Sequence, residues 1–233
     1  MNKQLPQLIV LLFSLTLCVH LYSVVSHMTA IRVITKCLLL PLLIIYLIVS
    51  TSDTSVIKKT ALFALFFSWL GDVLLIGDGT LFFLAGMLAF MLTHILNGML
   101  LIKLQPFRFK GSSWVGILLA TGAIGLIYYW LHDYLGTFLV PIVIYMVLIA
   151  AVWVCTFNLS NHVNYRWIAF YFFIPGMFFF VLSDALLALN KFLFHFPERW
   201  DVWVMLTYAS AQLFLTLGYK KVIVVQSEAD TTS

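Results

Sequence analysis

The sequence predicts an all-α polytopic membrane bundle of eight transmembrane helices, and three observations carry that expectation. Of the 233 residues, 63% are hydrophobic and 9% charged, with a mean hydropathy of +1.06. That is more apolar surface than a soluble chain of this size could cover. Apolar runs of about 20 residues, enough to cross a hydrocarbon core about 30 Å thick, recur from end to end. The runs are continuous, whereas barrel strands would be shorter and alternate in polarity.

The first run, near residues 5–25, follows Lys3 as the core of a signal peptide would. No small-residue cleavage site comes after it, and Leu17 precedes Cys18 where a lipid-attachment site needs a small residue, so it is read as the first helix. Further spans are expected near 30–50, 59–77, 80–102, 113–131, 135–157, 167–190 and 201–224. Short connections leave no room for a soluble domain, so residues 1–225 are expected to form one transmembrane domain. The polar segment "QSEADTTS", 226–233, is expected to be a disordered tail.

With the N-terminus inside, Lys3, Lys58, Lys59, Lys103, Arg108, Lys110, Arg166, Lys220 and Lys221 fall on the inner side. Only Arg32, Lys36, Lys191 and Arg199 fall toward the outer side, so both termini are expected in the cytoplasm. This bias and anionic lipid headgroups account for the pI near 9.0, which is therefore no sign of nucleic-acid binding. A bacterial inner membrane, or an endomembrane in a eukaryote, satisfies the same rule. Cys18, Cys37 and Cys155 lie within apolar spans without CxxC spacing, suggesting neither a disulfide framework nor a thiolate metal site.

Two acids interrupt the apolar pattern. "GDVLLIGDGTLF" from Gly71 aligns without a gap to "SDALLALNKFLF" from Ser183, matching Asp72 with Asp184. Four spans separate them, so both helices point the same way. Counting about 1.5 Å per residue from each span centre places Asp72, Asp184 and Lys36 about 6 to 8 Å outward of the midplane. Tyr208 lies at that level, Gln212 one turn deeper and His94 slightly inward. An ionised group facing lipid at this depth costs about 2.5 to 3.5 kcal/mol or more, so these side chains are expected to face one another.

A buried ion pair of Lys36 with either aspartate is the plain structural alternative, and Ser68, Gly71, Gly86 and Ser183 read well as close-packing residues. His20 reads as an interhelical donor, with lining of the site as the alternative. His27, His132, His162 and His195 read as interfacial. Asp53, Asp78, Asp133 and Asp201 read as solvated at span ends, with Asp78 near the outer mouth. Trp130, Trp153, Trp200 and Trp203 read as belt and packing residues.

In order along the chain stand "KCLLLP" with Lys36 and Pro41, "SWLGD" at 68–72, "GMLAFMLTH" at 86–94, "PIVIY" with Pro141 and Tyr145, "GMFFFVLSDALLA" at 176–188 and "YASAQ" at 208–212. On these elements the chain resembles the YhhN family of membrane proteins, which includes the animal lysoplasmalogenases. It departs from the family pattern where Cys37, and not proline, follows Lys36, and in lacking an aromatic near Asn97, points that bear on substrate preference.

The resemblance implies an eight-helix hydrolase of the vinyl ether bond of lysoplasmalogens, releasing a fatty aldehyde and a glycerophospho-ethanolamine or glycerophospho-choline. It implies Asp72 and Asp184 as catalytic acid and water activator in an order the sequence leaves open. Lys36, His94, Tyr208, Gln212, Ser68 and Ser183 would be substrate-binding or supporting residues. A lysophospholipid and the bilayer are the expected partners; no metal or dissociable cofactor is demanded, and the oligomeric state is not given. Two other readings stay open: a metal-dependent membrane lipid hydrolase, which wants about three ligands of suitable kind, and a proton-coupled carrier using the same aspartates.

Overall fold

The computed structural model describes residues 4–232; Lys3, counted above on the inner side, lies outside the described residues. The long helices are α1 Gln4–Val25, α2 Thr29–Ser50, α3 Val56–Leu74, α4 Thr80–Leu104, α5 Ser112–Leu131, α6 Leu139–Leu159, α7 Arg166–Phe194 and α8 Asp201–Thr232. No strand occurs among the described residues. Seven of the eight are long and apolar enough to cross a membrane. The other, α3, carries Lys58, Lys59 and Asp72 within its 19 residues, and at about 1.5 Å per residue is about 28 Å long. The last helix continues through Thr232, over most of the segment expected to be a disordered tail.

Consecutive helices pack on one another except α4 and α5, and α8 also packs on α1, α2 and α3 while α4 packs on α6. The apolar stretch of α8 is 56% buried, against 17% for that of α5, so α8 lies at the centre of the bundle and α5 at its rim.

Local chemistry sets how the helices meet. Pro41 has no N–H to donate to the carbonyl of Cys37 one turn earlier. That oxygen is taken by Trp69 Nε1 of α3 at 3.0 Å, which pins α3 to α2 at the residue after Lys36. In α7, Pro175 follows a π-helical turn, Ala169–Phe173, which contains the carbonyl its ring would strike. A second π turn, Asn190–Phe194, ends the helix at His195 in the left-handed region.

Gly71 and Gly86 let α3 and α4 touch. A Cβ at Gly71 would stand 2.7 Å from the Phe90 ring, and one at Gly86 would stand 2.8 Å from Leu75 and 3.3 Å from the Gly71 carbonyl. The close-packing role expected for both glycines is what the structure shows. Asp72 follows Gly71 directly, so this contact also sets the depth of the acid against α4.

Candidate functional site: two aspartates on one cavity

A polar cavity of about 300 Å³ lies at the end of the bundle away from the two termini. Lys36 of α2, Asp72 of α3, Ser183 and Asp184 of α7 and Tyr208 of α8 line it. Nearer the loops it is lined by Arg32, Asp78, Lys191 and Asp201.

Asp72 is 3% exposed, and its Oδ2 accepts a hydrogen bond from Tyr208 Oη at 2.8 Å. One turn earlier on α3, Ser68 Oγ accepts from Gln212 Nε2 at 3.0 Å and donates to Thr93 Oγ1 at 3.2 Å. The registers match: Ser68 and Asp72 are four residues apart on α3, as are Tyr208 and Gln212 on α8, so each pair shares a face. Two polar rungs therefore join α3 to α8, and Thr93 ties the lower one to α4.

Asp184 is held differently. Its Oδ2 accepts from Tyr145 Oη of α6 at 2.5 Å, and the same phenol oxygen lies 3.1 Å from His94 Nε2 of α4. His94 is fully buried, packed edge-on against Phe180 with ring centres 4.7 Å apart. Each acid thus has its own tyrosine, and no hydrogen bond joins the two carboxyls among the described residues.

The cavities around the acids differ as well. A small apolar pocket of about 90 Å³ is lined by Met87, Ile142, Tyr145, Met146 and Asp184. It shares Met146, Ile149 and Ala185 with an apolar cleft of about 440 Å³ between α5, α6 and α7. Asp184 stands in the walls of both the polar cavity and the apolar pocket, whereas Asp72 lines only the polar one.

The other candidates divide. Lys36 lines the cavity, yet no salt bridge joins it to either aspartate among the described residues, so the ion pair weighed as the structural alternative is not made as a contact. Ser183 lines the cavity, but its hydroxyl donates to the Val204 carbonyl at 3.0 Å and so ties α7 to α8. His20 is buried with Nδ1 2.9 Å from Thr35 Oγ1, and it reaches the cavity wall, as does the exposed Asp78 at the rim.

Three residues were not singled out for the site. Tyr145 holds Asp184; it was named in the "PIVIY" element of the resemblance but given no role at the site. Arg32, counted as an outer charge, is paired to Asp201 at 2.5 Å and Glu198 at 3.5 Å, and both Arg32 and Asp201 line the cavity. Asp201, read as solvated, is thereby part of the cavity's charge pattern. No group of three His, Cys, Asp or Glu that could hold a metal ion occurs among the described residues.

A YhhN family model matches residues 31–219. The chain belongs to the YhhN family. The match takes in every residue of the two aspartate networks and leaves out α1, so His20 lies outside the YhhN-matched region. No curated protein and no solved structure matched the chain.

Proposed function

We propose that this YhhN-family membrane protein hydrolyses the vinyl ether bond of lysoplasmalogens, with Asp184 as the acid and Asp72 as the water-activating base. The observation that carries the reading is the position of Asp184 on the boundary between a polar cavity and an apolar one. A lysoplasmalogen has the same polarity profile: a phosphate-bearing head, a vinyl ether, then a long hydrocarbon chain. With the head between Lys36 and Lys191 and the chain in the apolar pocket, the reactive carbons fall at the boundary.

The chemistry assigns the roles. Protonation occurs at the alkene carbon away from the ether oxygen, on the chain side, where the π pair forms the new C–H bond. Asp184 borders that side and supplies the proton. The positive charge then lies on the carbon bearing oxygen, on the head side, where ionised Asp72 stabilises it and takes a proton from the attacking water. Collapse of the hemiacetal returns a proton from its hydroxyl to Asp184, and Asp72 passes its proton to the departing glycerol oxygen. Both acids end as they began, and the sum is water plus vinyl ether giving aldehyde and alcohol. Two carboxyls at one small cavity favour a single shared negative charge, the state this cycle requires.

Tyr208 orients Asp72, and the Ser68–Gln212–Thr93 linkage braces it from below. The same linkage bears on the carrier reading, because it closes the bundle beneath Asp72. Below it Asn97 accepts from Tyr219 Oη at 2.5 Å, beside a pocket with no room for water. A carrier needs an alternating path on that side. With the termini in the cytoplasm of a bacterial inner membrane or on the cytosolic face of an endomembrane, substrate heads would enter from the opposite face.

The test is to give purified protein a lysoplasmenyl ethanolamine and its ester-linked counterpart and to follow aldehyde and fatty acid separately. Aldehyde from the first and no fatty acid from the second is the expected result. Absence of aldehyde across several detergents and pH values, with substrate uptake in proteoliposomes, would establish the carrier instead.

A further inference from the structure

We infer that His94 and Tyr145 act as positioning residues that confine the transferable proton of Asp184 to a single oxygen, Oδ1. The inference rests on the proposed hydrolysis for its catalytic consequence, while the proton arrangement itself follows from the hydrogen-bond chain.

Tyr145 has one hydroxyl hydrogen, and it donates it to Asp184 Oδ2 at 2.5 Å. Its oxygen is then free only to accept, so the 3.1 Å contact with His94 Nε2 requires the hydrogen to lie on Nε2. Neutral His94 therefore has a bare Nδ1, and Nδ1 is the ring nitrogen that has no partner in its buried setting. Reversing the chain would put the acid hydrogen on Oδ2, turn the tyrosine hydrogen toward His94 and move the imidazole hydrogen to Nδ1. That would create a buried N–H without an acceptor, the kind of orphan that folded proteins rarely keep, at a cost of about 1 to 3 kcal/mol.

Oδ2 is thus an acceptor whether Asp184 is acid or anion. No hydrogen bond from the protein engages Oδ1 among the described residues, so this oxygen is left to hold, give and regain the proton. Proton transfer then needs no rearrangement of the surrounding dipoles, which is the condition for low-cost catalysis in a water-poor site. The chain ends at His94, fully buried, so it serves to orient and not to conduct protons to solvent. Asp72 is held differently: its phenol, Tyr208, has a second acceptor in the Ser68 carbonyl at 3.5 Å, and no imidazole stands in the chain.

Two measurements test this. In protein labelled with ¹⁵N-histidine, with His94 assigned by the signal lost in His94→Gln, the expected spectrum shows a neutral ring protonated at Nε2. A ring protonated at Nδ1 overturns the inference whatever reaction the protein catalyses. In kinetics with a lysoplasmenyl ethanolamine, Tyr145→Phe and His94→Leu should each lower kcat by about 10- to 100-fold, with KM changed by no more than about twofold. The double variant should be no slower than Tyr145→Phe, and His94→Gln, whose amide N–H can stand near the place of Nε2–H, should recover most of the rate. Full activity in His94→Leu, additive losses in the double variant, or equal loss in folded His94→Gln and His94→Leu would each overturn it. If the wild-type protein releases no aldehyde, the hydrolase reading falls and the spectrum alone decides the proton arrangement.

Discussion

Asp72 and Asp184 reach one cavity from helices that run in the same direction, yet their surroundings are unlike. Asp72 sits deep, capped by a phenol and braced by a polar rung that spans three helices. Asp184 sits on a seam, with a directed tyrosine on one oxygen and hydrocarbon on one side. The local sequences share the aspartate, three leucines and a closing phenylalanine, and the difference lies in the helices opposite, α8 for one and α6 with α4 for the other. A carboxyl's role in a membrane is assigned by what faces it.

The largest effect expected from breaking this contrast is at the acids themselves. Asp72→Asn and Asp184→Asn should each reduce aldehyde release by at least about 1,000-fold in protein that still elutes as a single folded species. The two should then part company: a small external carboxylate such as formate should restore some turnover to Asp72→Ala by acting as a base, and none to Asp184→Ala. Equal rescue of both would remove the division of roles.

Ala185 lies in both apolar cavities. Ala185→Phe would add bulk to the wall they share and should lower kcat/KM for long-chain substrates by about 10- to 100-fold, with a smaller loss for short-chain vinyl ethers; each excluded methylene is worth about 0.8 kcal/mol. An equal loss at all chain lengths would argue against hydrocarbon entering beside Asp184. On the polar side, Lys36→Gln should raise KM by about 10-fold through loss of one charge-assisted contact to phosphate, with kcat little altered.

The smallest effect on turnover is expected at the inner polar pair. Tyr219→Phe leaves buried Asn97 without its donor and should cost about 1 to 3 kcal/mol of stability, seen as a lower unfolding temperature. Aldehyde release per folded molecule should not change. A loss of activity there would mean that the polar region extends through the bundle, as a carrier would need.

The Lys36, Asp72 and Tyr208 level was legible because rise per residue converts position in a span into depth. Asp184 joined them by the same count, and Gln212 came one turn below. Arg32 and Asp201 were not connected to the site because span ends carry charges for many reasons, and only their mutual contact shows that they neutralise one another beside the cavity. Tyr145 was missed because a phenol in an apolar helix looks the same whether it packs or donates.

The sequence by itself indicated an apolar surrounding, eight helices, and the level that each polar group holds along its own helix, because hydropathy and helical rise act along the chain and need no neighbour. The tertiary structure alone decided which phenol meets which acid and where hydrocarbon meets the polar cavity. Helix α6 is apolar on nearly every side and carries no stripe to announce its rotation, so its facing is chosen by close packing and by the few hydrogen bonds that burial obliges it to make.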